Sequence, residues 1–348
     1  MKRSRVFIGP MEVANVAKSI SVALRTQKID AEFVTYSISL HPFDYKSEKV
    51  LFFYEKSPLF GLNRILKYYY LIRNILRYNT FIFLSPESLL PKNKDLPLLK
   101  FLKKRMIFIF TGCAERDTSF QLNDPDFICN RCEDKNWQQM FLCHEIDKKR
   151  KRVEKFEMYS NYIISQPDSA AYLKEKVPIW FYVIAEPPPE KDYVSKFNKD
   201  RIVISHLPSN PLVKQTDIIV PVLKRIGIEY NVEIIIKDGI WSRENILSVL
   251  DKTHILVDAL GLGYAVLAVE AMSRGCIVMN SFNEWFRVNT PEAPVFRTTA
   301  KTLYTDIVSL LNNQNIMKEY SRRSIEYYKN YHTPEVVGKF YKDKLDLH

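Results

Sequence analysis

One acid embedded in an apolar run constrains this chain more than any other feature: Glu270, inside residues 254–281, HILVDALGLGYAVLAVEAMSRGCIVMNS. By pattern, residues 255–259 form a buried strand, 261–264 a glycine-bearing turn, 265–274 a helix stopped at Gly275, and 276–280 the next strand. Such a helix starts at the carboxyl end of its strand. Its unpaired first N–H groups and positive dipole end then point into the crevice where parallel sheets bind ligands, and phosphate is the natural guest. Glu270 is either a solvated surface acid or a buried acid with a polar partner. Its neighbours Val266, Leu267, Ala268, Val269, Ala271 and Met272 leave little room for a wet face, which favours the second reading.

Residues 201–217, RIVISHLPSNPLVKQTD, repeat the logic ahead of an apolar stretch at 218–226. A strand runs into a polar loop and then a helix. Ser209, Asn210 and Lys214 fall at the strand's exit, where hydroxyl, amide and ammonium can donate to one anion. Alone this is ordinary turn chemistry; beside the Glu270 unit it carries more weight.

Together the two segments resemble the retaining, nucleotide-sugar-dependent glycosyltransferases of the two-domain GT-B fold, and within them the group-1 (GT4-like) family. In that family a lysine in a strand–loop–helix near the start of the C-terminal domain holds donor phosphates, the place of Lys214. The family also carries two glutamates eight residues apart around a Gly-aromatic-Gly turn, the second followed by Ala-Met. LGYAVLAVEAM at 262–272 keeps the second as Glu270 and has Leu262 at the first. The resemblance implies catalytic roles for Lys214 and Glu270, with Glu270 accepting from the nucleotide ribose. It implies that backbone N–H groups of Gly263, Tyr264, Ala265 and Val266 face the diphosphate. Leu262 cannot make the sugar contact of the missing glutamate, and Ser209 stands where many members carry an arginine. Asp258 is then either a substitute carboxylate or a turn residue. The implied reaction moves a sugar from a nucleotide-diphosphate sugar to a hydroxyl of a glycan or lipid-linked acceptor, with retention, in polysaccharide or glycolipid synthesis at the cell surface, and needs no catalytic cofactor.

The expected fold class is α/β: two Rossmann-like, doubly wound domains facing across a cleft. At 348 residues the chain exceeds the size at which one core stops growing. Residues 1–187 make the N-terminal, acceptor-side domain, opening as strand, turn at Gly9 and amphipathic helix. Residues 188–330 make the nucleotide-sugar domain after the stiff Glu186-Pro-Pro-Pro-Glu190 hinge. Residues 331–348 are a helix expected to cross back towards the first domain. Gly-x-Gly-x-x-Gly is absent, which argues against a nicotinamide cofactor, and no nucleophile elbow supports Ser-His-Asp hydrolysis.

The net charge of +11 is uneven: residues 1–187 hold 30 Lys and Arg against 21 Asp and Glu, and the remainder 21 against 19. The excess concentrates at 63–77, 103–105 and 148–152. A basic helix bearing Tyr, Ile and Leu can lie on an anionic membrane surface; alternatively Ile65, Leu66, Tyr69, Ile72 and Ile75 are core at helical spacing with a solvated basic back. No run of eighteen apolar residues exists, and residues 1–5 lead into a strand, so a cytoplasmic protein, peripheral on the inner face of the membrane, is expected. A catalytically inactive nucleotide-sugar-binding protein of the same fold is the first alternative, given Leu262 and Ser209. A zinc-ribbon nucleic-acid-binding protein fits less well, because the charge is scattered and no nucleic-acid motif accompanies it; nucleic acid is not an expected partner.

Cys113, Cys129, Cys132 and Cys143 fall within 31 residues as C-x15-C-x2-C-x10-C. Four thiolates suit a structural zinc in an insertion at 113–143, with His144 as an alternative ligand; free cysteine is also simply a small buried hydrophobe. Four protein ligands would leave no open position for catalysis. Residues 111–117, TGCAERD, follow a strand and open at a crevice edge. In the resembling family this place faces acceptor and donor sugar, which makes Gly9, Glu115, Arg116 and Asp117 the acceptor-side candidates. A salt-bridged loop is the other reading of the charged trio. His41 and His206, also near strand ends, read as structural or surface histidines.

Overall fold

The computed structural model describes residues 4–35, 60–116, 118, 129, 132–133, 135–166, 169–176, 179–180, 184–198, 201–239, 241–261, 263–281 and 292–348; the side chains of 60–67, 137 and 180 lie outside that description. Contacts divide the chain into two compact units. The first is Met1–Asp117, Asn136–Tyr182 and Pro334–His348; the second is Thr118–Lys135 and Val183–Thr333.

The first unit carries a parallel sheet of β1 (Arg5–Ile8), β2 (Asp30–Phe33), β3 (Thr80–Leu84), β4 (Arg105–Phe110), β5 (Tyr162–Ser165) and β6 (Ile179–Trp180) in the order β2-β1-β3-β4-β5-β6. TFIFL in β3 is buried throughout, and RMIFIF in β4 is buried beyond its first residue. Strands apolar on both faces need helices on both faces. These are α1 (Val16–Thr26), α2 (Phe60–Arg77), α3 (Leu96–Phe101) and, beyond the mostly exposed α4 (Lys135–Met140), α5 (Ile146–Tyr159). Phe7, Phe81, Phe83, Phe108 and Phe156 fill the interior, Phe108 and Phe156 stacking at 4.5 Å.

The second unit's sheet is β7 (Ile202–His206), β8 (Val232–Ile236), β9 (Ile255–Ala259), β10 (Ile277–Asn280) and β11 (Phe296–Arg297), parallel in the order β11-β10-β9-β7-β8. Its helices are α6 (Thr216–Glu229), α7 (Arg243–Lys252), α8 (Val266–Ser273), α9 (Leu303–Leu311) and α10 (Gln314–Tyr331). The final helix, α11 (Pro334–Lys344), lies along α1 of the first unit. Gly338 makes that approach: a Cβ there would sit 2.1 Å from the Ala23 carbonyl oxygen. Arg105 Nη1 donates to the carbonyls of Leu345 (2.8 Å) and Asp346 (2.6 Å), tying the following residues to β4.

One expectation about the basic segments changes, that for 63–77. On α2, Leu71 and Ile75 face the core, while Tyr69 (59% exposed), Ile72 (57%) and Leu76 (78%) face outwards; the side chains of Ile65 and Leu66 lie outside the described residues. The buried stripe follows 71, 74, 75 and 78 instead of 69 and 72, because the sheet captures the side of the helix that leads into Tyr78. In α5 the basic run at 148–152 is not a uniformly solvated face. Lys149 is fully buried and donates to the carbonyls of Cys113 (3.0 Å) and Arg116 (3.1 Å), and Arg152 donates to that of Ala114. Their long apolar stems cross the helix surface to satisfy carbonyls of the loop after β4.

Candidate functional site

In the second unit the chain leaves β7 for β8 on one side, and β9 lies on the other. That gap between β7 and β9 is a topological switch point, the place where open parallel sheets take ligands. Both flanking segments send charge into it. Lys214 Nζ bonds Asp258 Oδ1 at 2.6 Å, with the lysine 9% and the aspartate 1% exposed. Asn280 Nδ2 donates to Asp258 Oδ2 at 2.9 Å, and the β9–β10 register shifts between Met279 and Asn280, opposite this acid. Asp258 is therefore spent on two polar neighbours and is not a free substitute for the carboxylate missing at position 262, which lies outside the described residues.

The loop after β7 explains how Lys214 reaches the gap. Asn210 Oδ1 accepts from the N–H groups of Leu212 (3.0 Å) and Val213 (3.3 Å), an Asx turn, and Lys214 N–H closes on the Asn210 carbonyl (3.0 Å). Gln215 then takes a left-handed conformation (φ 54°) and α6 begins. Asn210 thus shapes the turn through its amide oxygen, and Ser209 is exposed beside it. His206 braces the loop from below. Its Nδ1–H donates to the Val257 carbonyl (2.8 Å), so its Nε2 accepts from the Thr216 hydroxyl (2.8 Å). Burial holds its pKa below the usual histidine range, in keeping with a neutral structural ring.

Glu270 is buried, as its apolar neighbours require, and its partner is one the sequence did not single out. Arg243, the first residue of α7, stands 2.5 Å from Glu270 Oε1. The two form a close ion pair. Burial raises the carboxyl pKa, and Arg243 is the largest opposing influence. Arg243 follows a local signal, the Ser242 N-cap accepting from Asn245 N–H at 3.2 Å, but an arginine at the start of a mixed-charge helix reads as solvated.

The helix that carries Glu270 opens without a side-chain cap among the described residues. Ala265 is extended, and Val269 N–H is the first amide to bond back, to the Ala265 carbonyl at 3.1 Å. The amides of Val266, Leu267 and Ala268 are thus left to a ligand or solvent. Tyr264 turns its ring away, its hydroxyl 2.8 Å from that of Tyr327 on α10 and its ring edge-on to His332. Any donor contact of Tyr264 comes from its backbone.

In the first unit the expected acceptor-side residues are inward-facing. A Cβ on Gly9 (φ 138°) would lie 2.0 Å from the Val34 carbonyl oxygen, so glycine is needed there for the close approach of β2's exit. Glu115 is wholly buried and accepts from Ser85 Oγ; burial pushes its carboxyl up to about 7 against the pull of Arg152, Lys149 and Arg116. Arg116 is also buried and donates to Cys113 Sγ at 3.4 Å. Glu115 and Arg116 hold this loop from within instead of presenting themselves to an acceptor. Asp117 and His41 lie outside the described residues. A second acid, Glu12, accepts from the amides of Ala17 (3.2 Å) and Lys18 (3.0 Å) at the start of α1, and burial raises it to about 7.

Among the described residues no three His, Cys, Asp or Glu side chains stand close enough to hold a metal ion, so the zinc reading of Cys113, Cys129, Cys132, Cys143 and His144 rests on the sequence alone. Cys113 and Cys143 belong to the first unit, Cys129 and Cys132 to the second. His144 Nε2 instead meets Gln138 Oε1 at 3.1 Å.

No family model matches the chain, and no curated protein matches it by sequence. Solved structures do match. HepE of Anabaena in complex with UDP-glucose superposes with a TM-score of 0.64 at 11% identity, over 99% of this chain and all of that one. The same protein with UDP gives 0.63 at 12% identity, over 99% of this chain and all of that one. Sucrose-phosphate synthase of Thermosynechococcus elongatus gives 0.60 at 11% identity, over the whole of both chains. At that identity the likeness speaks for architecture alone. Two parallel, doubly wound α/β units, matched to these structures over nearly the whole of both chains, give this chain the GT-B fold.

Proposed function

We propose that the protein is a nucleotide-sugar glycosyltransferase whose donor diphosphate binds at the β7/β9 switch point. One observation carries this reading: Lys214 is lodged in that gap, held in place by Asp258. The uncapped start of α8 adds three amides and a helix dipole. An incoming diphosphate competes with Asp258 for the ammonium and meets those amides. Glu270 accepts from the ribose, and Asn210 with the exposed Ser209 borders the phosphates. Charge that develops on the departing diphosphate is stabilised by Lys214 and the helix end, so we assign no catalytic metal.

The transfer is to a hydroxyl of a glycan or lipid-linked acceptor, with retention, in the GT4-like manner. The outward face of α2, with Tyr69, Ile72 and Leu76, supports a peripheral site on an anionic membrane for the first unit. Among the described residues no helix is long and apolar enough to cross a membrane. In place of the expected 1–187 and 188–330 division, the first unit is assigned the acceptor side and the second the donor side. A second reading, donor binding without turnover, draws on the neutralisation of Lys214 by Asp258 and on Leu262.

The test is a thermal-shift screen of nucleotide sugars, followed by product analysis with glycan and lipid-linked acceptors. A ligand at 100 times its dissociation constant stabilises by about 2.7 kcal/mol. No shift with any nucleotide sugar rejects the donor-site reading; binding without product on every acceptor favours the inactive alternative.

A further inference from the structure

Glu270 sits on α8 among Ala268, Val269, Ala271 and Met272, all fully buried, and its own side chain is 5% exposed. Three charged groups bear on it. Arg243 arrives from α7 at 2.5 Å. Arg274, one turn further along α8, is committed elsewhere: Nε to Asp251 Oδ1 (3.0 Å), Nη1 to the Glu270 carbonyl (3.2 Å) and to Ser273 Oγ (3.2 Å). Glu186, from the segment preceding the proline run, is an acid and acts in the opposite sense. The carboxylate's charge therefore depends chiefly on one guanidinium from a neighbouring helix.

We propose that Arg243 is a positioning residue, holding the Glu270 carboxylate charged and aimed so that it accepts hydrogen bonds from both hydroxyls of a nucleoside ribose. The proposal rests on the donor-site reading and adds to it the control of that site's sugar recognition. A vicinal diol offers two O–H donors, and a carboxylate accepts both; a protonated carboxyl is itself a donor and can accept only at its remaining capacity. A carboxylate has about four lone-pair sites, so Arg243 at Oε1 anchors the group and leaves acceptor capacity for a diol. Burial already raises the pKa of Glu270, and without Arg243 the charge left to oppose that rise is Arg274. In an Arg243→Met protein the carboxyl therefore titrates higher than in wild type, and the carboxylate is recovered as pH rises.

Two measurements test this on the full chain. The first is a carbon-13 NMR titration of Glu270 in the free protein, its signal assigned by loss in Glu270→Gln. Arg243→Met should move the midpoint up by about one unit or more, and Arg243→Lys by less. The second is the affinity for UDP, GDP and ADP beside their 2′,3′-dideoxy counterparts, from pH 6.5 to 9. Wild type should favour the ribose form by about ten- to a hundredfold at pH 7. Arg243→Met should lose that preference at pH 7 and regain it towards pH 9, Arg243→Lys should retain part of it, and Glu270→Gln should lack it at every pH. An unmoved midpoint in Arg243→Met overturns the role of Arg243 whether or not nucleotides bind. A moved midpoint in a protein whose wild type binds none of the three nucleotides overturns the donor-site reading, and ribose recognition with it.

Discussion

Removing Lys214 should do two separable things, because the ammonium serves both the fold and the proposed ligand. In Lys214→Met, Asp258 keeps the Asn280 amide at 2.9 Å but loses the counter-charge at 2.6 Å, inside an environment that leaves it 1% exposed. Deleting one partner of a buried pair typically costs about 3–5 kcal/mol, most of it the penalty of a stranded charge. Asp258→Asn in the same chain removes that charge and keeps a side chain of the same shape. The double variant should therefore recover to within about 1–2 kcal/mol of wild type, a coupling large enough to measure for two residues in contact. Urea-dependent hydrogen exchange at amides of β7 and β9 reads the second unit without assuming that the whole chain unfolds in one step. Calorimetric titration with the nucleotide sugar that binds wild type reads the site. Both variants should bind it at least about tenfold more weakly, since neither has the ammonium. Restored stability together with restored affinity in the double variant would refute Lys214 as the phosphate partner. A single variant destabilised by less than about 1 kcal/mol would refute the account of the buried pair.

Glu12 and Glu115, both raised to about 7 from 4.5, bind protons in the folded state that the unfolded chain has released. Their stabilising contribution is complete below about pH 4.5 and is lost as pH rises through 7. Glu12→Gln and Glu115→Gln should therefore flatten the decline in urea midpoint between pH 5 and 8, and a slope equal to that of wild type would contradict the assignment. Gly338→Ala must push α11 off α1, because its Cβ would meet backbone atoms of Ala23 at 2.1 and 2.8 Å. Overpacking of about 1–3 kcal/mol, less about 1 kcal/mol of helix propensity, predicts a net loss seen as faster hydrogen exchange in both helices. Ile72→Glu with Leu76→Glu on the exposed face of α2 should abolish flotation with phosphatidylserine vesicles while leaving the melting temperature within a degree or two. Unchanged flotation would remove the membrane assignment.

The alternation of strands and helices was legible because parallel strands buried on both faces read as continuous apolar runs. The expected 255–259, 265–274 and 276–280 became Ile255–Ala259, Val266–Ser273 and Ile277–Asn280. Local apolar context also exposed Glu270 as an acid in need of a partner. Which partner it takes was not legible, because Arg243 arrives from a different strand–helix unit and its own neighbourhood looks solvated. The pairing of Lys214 with Asp258 was hidden for the same reason: it depends on β7 and β9 being neighbours while β8 lies outside them, which no local period encodes. The role of charge runs was least legible. Lys149 and Arg152 stand in the basic run 148–152, yet both satisfy carbonyls of the loop after β4, which lies far from them in sequence. On α2 the helical period was plain, but its phase against the sheet could not be chosen when apolar residues occupy both sides.

The placement of α11 on α1 has a consequence for synthesis. A ribosome delivers the entire second sheet before it delivers the helix that covers Ala23. The usual order, in which the earlier domain matures first, is then inverted at this one surface. Until α11 emerges, the nascent first unit carries an open seam along α1, the point at which a chaperone or a premature encounter with another chain would act.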